Sequence, residues 1–343
     1  SVWHRPVDRA EGTIRLGPGF FRFEDAELVR GTAHYRLRGE IAHAASPIEF
    51  RVELSAVGGQ VEEVLAAAGL EAEATGRFDG TLQFARQGAD LVIEGDVARA
   101  AGELMGQPFD AVQGSFRWSG DGLWLPGARA AWGGGLLELA GEAREGALDF
   151  EVRLSRWPLE MNERFPLKPP AGLAGWVSYS GTLTGTLDAP VLAGELTGGS
   201  VALGSLRLAG PRGRLEISAD EARFSGVEVN GAGGGLYRLS GTVGGWREEA
   251  PRLNLGIEVA GASLSSLLRE GGLNVPALLF DGDVSGKIAI SGTSERPAAS
   301  FDLALSDGLG VGEPLRLRFE VVDGQVRLGR TALASLAGGA PTP

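Results

Sequence analysis

The stretch Leu253-Asn254-Leu255-Gly256-Ile257-Glu258-Val259 places an apolar residue at every second position. A period of two is typical of a β-strand, because successive side chains point to opposite faces of the sheet. The same alternation recurs in three further stretches, 48–54, 148–154 and 315–321. Turn-forming pairs such as Glu145-Gly146 separate the alternating stretches. The sequence therefore predicts an all-β, antiparallel protein whose strands are each wetted on one face only.

The alternating stretches repeat about every 100 residues. Tyr35-Arg36-Leu37-Arg38-Gly39 recurs as Leu137-Glu138-Leu139-Ala140-Gly141 and again as Tyr237-Arg238-Leu239-Ser240-Gly241. We interpret residues 1–343 as one elongated array of repeats. The predicted repeats cover approximately 20–115, 116–214 and 215–316, with a partial repeat over 317–343. Because the chain begins with Ser1 rather than Met, we expect it to be a segment of a longer protein, with any membrane anchor outside it.

Each repeat contains one short stretch that lacks the alternation and that predicts a short helix. The stretch 60–68 places Val61, Val64, Leu65 and Ala68 on one helical face. A second helix is predicted over 263–269, with Ser263 as its N-cap, and a third over 159–165. Helices of this length are marginal alone. We therefore expect them to pack on one side or end of the sheet.

Composition excludes several classes of protein. The chain has 44 Asp and Glu against 32 Lys and Arg, a net charge of −12, and phosphate contact requires a basic face, so a nucleic-acid partner is not expected. It has no cysteine, which removes disulfides and thiolate metal sites. Glycine accounts for 55 of the 343 residues, about twice its usual share. We expect glycines within strands to mark bends and bulges.

No residue pattern predicts an enzyme, a cofactor or a metal site. The histidines, His4, His34 and His43, have no ligand-like spacing, and we interpret them as surface or strand residues. The fragment 285–288 is not a phosphate-binding loop, because it lacks the first glycine and the final Ser or Thr of that motif. A cluster of three tryptophans is compatible with carbohydrate stacking, although core packing is the commoner role: Trp118, Trp124 and Trp132.

A one-sided sheet of this length needs a partner for its apolar face. At about a dozen residues per strand and turn, the chain provides roughly two dozen strands. Predicted helices are too few to cover them, and twist prevents so large a sheet from lying flat. We therefore predict one long, continuous, coiled antiparallel sheet that forms an elongated, taco-like groove with an apolar floor. A sandwich core, an outer-membrane barrel and a carbohydrate-active β-solenoid are the alternatives.

Three motifs resemble bacterial TamB and AsmA-like proteins: Gly185 to Leu196, Gly233 to Gly241, and Gly106 to Asp110. The resemblance implies a repeating β-groove protein of the periplasm of a diderm bacterium, with an inner-membrane anchor N-terminal to this segment. It also implies phospholipids or other acyl lipids as partners and, for TamB itself, an outer-membrane barrel partner. Which of the two groups the chain resembles more closely stays open at this point.

The function predicted from the resemblance is bridge-like transport of phospholipid between the inner and outer membranes, with the acyl chains sliding along the groove. The alternative is a scaffold or chaperone that assembles β-barrel proteins by strand addition at a sheet edge. The predicted groove-lining residues are the apolar positions of the alternating stretches: Tyr35, Leu37, Phe50, Val52, Leu54, Leu137, Leu139, Phe150, Val152, Leu154, Tyr237, Leu239, Leu255, Ile257, Val259, Leu317, Phe319 and Val321.

Overall fold

A computed structural model describes most of the chain, and within it the protein is all-β. The described residues are 7–63, 74–104, 107–159, 173–203, 206–231, 234–245, 248, 250–266, 282–306, 315–322 and 325–328. Every strand in these ranges belongs to one antiparallel sheet of 21 strands, and the sheet is not closed. The predicted fold class, one continuous antiparallel sheet, is confirmed. Its curvature into a groove stays a prediction.

Two compact units divide the chain, residues 1–153 with 183–188 and residues 154–182 with 189–343. The strands of the first unit, including the first half of β11, are β1 (Arg9–Glu11), β2 (Ile14–Gly17), β3 (Phe20–Arg30), β4 (Ala33–Ala42), β5 (Glu49–Gln60), β6 (Ala74–Gln87), β7 (Asp90–Leu104), β8 (Gln107–Ser119), β9 (Gly122–Trp132), β10 (Gly135–Arg144) and β11 (Ala147–Pro158). The second unit contains the rest of β11, most of β12 (Leu173–Thr186), and then β13 (Pro190–Leu203), β14 (Leu206–Ile217), β15 (Glu221–Gly231), β16 (Leu236–Gly244), β17 (Arg252–Ser263), β18 (Asp283–Thr293), β19 (Pro297–Ser306), β20 (Leu315–Val322) and β21 (Gln325–Leu328).

Each unit is a meander in which consecutive strands pair. In the first unit, β3 pairs with β4, β4 with β5 and β5 with β6. β1 and β2 both pair with β3, at its two ends, so they occupy one position in the sheet. In the second unit, pairing runs without a break from β13 to β21. All four alternating stretches lie within or overlap strands, namely β5, β11, β17 and β20.

One glycine position recurs in the strands β4, β10 and β16. Gly39, Gly141 and Gly241 have φ values of +144°, +143° and +127°. A Cβ atom at each would lie 2.1 Å from a carbonyl oxygen of the next strand. Only glycine tolerates this combination of backbone angle and close approach. The register shifts in β5 and β17 also contain a glycine with positive φ, Gly58 and Gly261 respectively, so glycines lie at irregular points of these strands. The predicted repeat boundaries stay a prediction.

The first turns of two predicted helices lie within the described residues, and the remainder of both predictions, 64–68 and 267–269, lies outside them. Helical turns occupy 61–63 and 264–266, and the strands before them continue through Gln60 and Ser263. The amide of Ser266 donates to Oγ of Ser263 at 3.2 Å, so the predicted N-cap is confirmed. The third predicted helix, 159–165, lies outside the described residues except for Leu159, which is in a bend. No described helix has the length and apolarity to cross a membrane.

Candidate functional site

The register of the second unit aligns apolar side chains in rows that run across the strands. The central row consists of directly paired positions on six consecutive strands: Val227, Leu239, Ile257, Ile288, Phe301 and Phe319. Its last two rings are stacked, with centroids 4.4 Å apart. A parallel row contains Tyr237, Val259, Leu303 and Leu317, with Gly286 of β18 between Val259 and Leu303. Cross-strand pairs of this kind are the units that stabilise a sheet, and here they make the central row apolar on all six strands.

The first unit also has rows of paired apolar side chains, and its buried cluster is smaller than that of the second unit. Leu37 pairs with Leu54, which pairs with Leu82. Val52 pairs with Phe84, which pairs with Ile93. Tyr35 and Leu54 pack against a buried cluster formed by Ala56, Phe78, Leu82 and Ala100. We call the apolar side of the sheet in each unit its apolar face.

All eighteen predicted groove-lining residues are sheltered from solvent. Four of them are buried, namely Phe150, Val152, Tyr237 and Val259, and the other fourteen are half-buried. The register places those on β4 and β5 in rows of the first unit, and those on β16, β17 and β20 in rows of the second. They do not form a single cluster, because the buried clusters of the two units have separate members. Whether these residues line a lipid-carrying groove stays a prediction.

Several buried residues of the apolar face are not among the predicted ones. Val284 has 0% of its surface exposed, and Ile288, Leu303 and Leu305 are buried beside it. The stretches 283–290 and 299–305 alternate as regularly as the stretches used for the prediction. The signal was therefore present, and the same rule applied to every strand would have found these residues.

Tyr179 is a polar exception within the apolar face of the second unit. Its side chain is 2% exposed, and its hydroxyl has no hydrogen-bond partner. Burial raises the pKa of this phenol to about 12. The hydroxyl lies over two glycines, within 2.6 Å and 2.8 Å of the places where Cβ atoms of Gly181 and Gly194 would stand. The tyrosine thus covers a part of the sheet that has no side chains of its own.

On the opposite face of the second unit, charged residues are arranged as regularly as the apolar ones. Seven directly paired positions on strands β14 to β20 alternate in sign: Arg212, Glu228, Arg238, Glu258, Lys287, Asp302 and Arg318. We call this row the charge ladder. Nη2 of Arg238 lies 2.5 Å from Oε1 of Glu228, and its Nη1 lies 3.7 Å from Oε2 of Glu258. Nζ of Lys287 lies 3.3 Å from Oε1 of Glu258. A hydrogen bond from Arg318, together with the charge of Arg316, lowers the pKa of Asp302 below its usual value.

The other candidate groups do not assemble into a site. Trp118 pairs with Leu123 on the apolar face, whereas Trp124 pairs with Arg117 on the opposite face, so these two tryptophans cannot share one carbohydrate platform. His34 and His43 are exposed, and His4 lies outside the described residues. In the described part of the chain, no three His, Asp or Glu side chains are grouped in a way that could hold a metal ion.

The described strands thus belong to a single sheet, and each unit has one apolar and one charged face. Comparison with models of protein families, with curated proteins and with solved structures finds no match for it.

Proposed function

We propose that this protein carries acyl lipids along its apolar face, as a bridge-like phospholipid transporter of the periplasm that connects the inner and outer membranes. The proposal is supported above all by the apolar rows of each unit, which belong to one sheet and have no second sheet among the described strands to pack against. Four of the six residues in the central row of the second unit keep part of their surface accessible, and accessible apolar surface commonly marks the place where a partner binds.

The dimensions of the rows suit an acyl chain. Six strands at about 4.8 Å spacing give the central row of the second unit a length of about 24 Å. An extended acyl chain fills half of the hydrocarbon core of a bilayer, about 15 Å. One unit alone therefore offers enough apolar length for a whole chain.

The energetics favour such a surface over a closed pocket. A diacyl lipid contains roughly 30 methylene groups, and at about 0.8 kcal/mol each its transfer into water costs on the order of 25 kcal/mol. A continuous apolar face removes most of this cost at every point of the path. Because the apolar residues of the central row of the second unit hold a lipid about equally, the cargo can move along that row. Its even spacing, with no polar side chain among its six residues, is what this mechanism requires.

The assignment to TamB and AsmA-like proteins, with an N-terminal inner-membrane anchor and an outer-membrane barrel partner, is part of the same proposal. It is supported by the motifs at 185–196 and 233–241 and by the single antiparallel sheet.

Native mass spectrometry of the purified 343-residue chain tests the proposal directly. We expect phospholipid to co-purify with the protein, and we expect lipid-free protein to take up phospholipid from phosphatidylethanolamine and phosphatidylglycerol vesicles. Lipid-free protein after gentle purification, with no uptake from vesicles, would contradict the proposal.

A matched pair of variants on β17 locates the binding surface. Ile257→Asp places a carboxylate in the central row, whereas Asn254→Asp places one at an exposed position of the same strand, on the charged face. We expect the first variant to lose bound lipid and the second to retain it. Strand addition at a sheet edge, the alternative predicted from the sequence, would be insensitive to both. Phe150→Asp provides the same test in the first unit.

A further inference from the structure

Arg86 is a cation on the apolar face of the first unit. It lies on β6 and is paired with Phe50 of β5 on one side and with Leu91 of β7 on the other. Along its own strand it shares a face with Phe84, two residues before it, and Phe84 is itself paired with Val52. The charge therefore sits at the end of apolar rows rather than on the charged face.

The side chain of Arg86 is held in place but is not neutralised. Its guanidinium carbon lies 5.7 Å from the centroid of the Phe50 ring, a distance typical of a cation–π contact. Its Nε atom is buried and has no hydrogen-bond acceptor. None of the ion pairs between described residues includes Arg86, whereas Arg22, Arg38 and Arg117 of the charged face each have a carboxylate partner.

An unpaired cation at this position requires an explanation. A buried N–H without an acceptor costs free energy, and native proteins leave few such groups unsatisfied. The guanidinium group is well suited to a phosphate, because its planar fork donates two parallel hydrogen bonds to a pair of oxygens. The neighbouring side chains, Phe50, Phe84 and Leu91, are suited to hydrocarbon. These few residues can therefore contact both parts of a phospholipid, its phosphate and its acyl chains.

We propose that Arg86 binds the phosphate of a phospholipid whose acyl chains lie on the apolar face beside Phe50 and Phe84. This inference rests on the proposed function and adds a preferred position and polarity for the headgroup. A lipid at this place lies with its tails toward Val52 and its headgroup at the end of the row.

Two lipids with the same acyl chains separate the headgroup contact from the tail contact. Dioleoyl-phosphatidylglycerol carries the phosphate and dioleoylglycerol lacks it. Both are presented to the full 343-residue chain from the same non-ionic micelles, and their occupancy is measured by native mass spectrometry. We expect Arg86→Gln to weaken phosphatidylglycerol binding about tenfold, the scale of a charge-assisted hydrogen bond, and to leave dioleoylglycerol binding unchanged.

Arg51→Gln is the matched control, because Arg51 lies on the adjacent strand but is exposed on the charged face, opposite Glu40. We expect Arg51→Gln to change the binding of neither lipid. Arg86→Lys keeps the charge without the planar fork and should retain part of the preference for phosphate. Should Arg86→Gln fail to fold, as judged by its urea midpoint, Arg86→Lys alone carries the comparison.

The remaining outcomes distinguish the two proposals. Equal affinity of the unaltered protein for both lipids overturns the role of Arg86 but leaves lipid carriage in place, whereas binding of neither lipid overturns lipid carriage itself. An equal loss of both lipids in Arg86→Gln means that the side chain acts only by covering Phe50 with its aliphatic stem, which also overturns the inference. Binding of inorganic phosphate alone, lost in Arg86→Gln, identifies a free-phosphate site instead of a headgroup site.

Discussion

The recurring glycine of β4, β10 and β16 predicts a large local effect for a very small substitution, Gly241→Ala. The backbone of Gly241 has φ +127°, a region that residues with a side chain rarely adopt. A Cβ atom there would lie 2.1 Å from the carbonyl oxygen of Asn254 and 2.9 Å from Cα of Leu255. Both atoms belong to the backbone of β17, so the clash cannot be relieved by rotating a side chain.

The expected cost follows from two contributions. A non-glycine residue in a sparsely populated backbone region costs on the order of 1–3 kcal/mol, and loss of one cross-strand hydrogen bond as β17 moves away adds about 1 kcal/mol. We therefore expect Gly241→Ala to destabilise this part of the sheet by about 2–4 kcal/mol. At 1.4 kcal/mol per tenfold, local opening becomes roughly 30- to 700-fold more frequent.

Hydrogen–deuterium exchange read by mass spectrometry is the appropriate assay, because a repetitive sheet can open in parts. The control is Gly256→Ala on β17, where the nearest atom to the added Cβ is the Ser240 carbonyl oxygen at 3.9 Å. We expect the control to leave exchange in β16 and β17 unchanged or slightly slower, since alanine loses less conformational freedom than glycine on folding. Equal exchange in the two variants would refute the reasoning.

Two further substitutions test polar groups on the two faces of the second unit. Tyr179→Phe removes a buried hydroxyl that has no partner, so we expect the free energy of unfolding by urea to rise by about 1 kcal/mol. The pKa of Tyr179 is raised from 10.0 to about 12, so the phenol ionises in the unfolded state before it does in the folded state. The original protein should therefore lose stability above pH 10, and Tyr179→Phe should lose less. An equal loss of stability in the two proteins would contradict this reasoning. Asp302→Asn removes a carboxylate whose pKa is lowered from 3.8. We therefore expect the variant to be less stable than the original protein, with the full difference present above pH 3.8 and the difference disappearing as the pH falls further. A difference that stays constant down to pH 2 would be the contrary result.

The strands and their two faces were predictable from the sequence, because alternation is a local property. The stretch 253–259 lies within β17, and every residue predicted from it is sheltered while Asn254, Gly256 and Glu258 are exposed. Pairing between strands was not predictable, since a register depends on bulges that can be located only in three dimensions. The partnership of Tyr179 with Gly181 and Gly194 is of this kind: it requires the alignment of two strands.

The starts of two predicted helices were readable from the sequence to within a residue. The helix predicted over 60–68 begins in the structure with the turn 61–63, directly after β5, whose last residue Gln60 still pairs with Arg77 of β6. Residues 64–68 of this prediction lie outside the described ranges. Arg86 was not predicted as a functional residue, because its neighbours in the sequence do not show that it is paired with Phe50 of β5.

The charge ladder explains how a single sheet can keep its apolar face on one side without a second sheet to fix it. A slip of one residue between two strands would turn every apolar side chain to the charged face, and it would also place apolar side chains in the row of charges. Exposed ion pairs contribute little stability individually, so their value here is in the choice of register. Equivalent positions in the three predicted repeats support this interpretation, because the sign of the charge changes while the pairing remains. Arg36 faces Glu27, Glu138 faces Arg129 and Arg238 faces Glu228. What is retained is opposition of charge across each strand pair, and it holds the apolar rows in line.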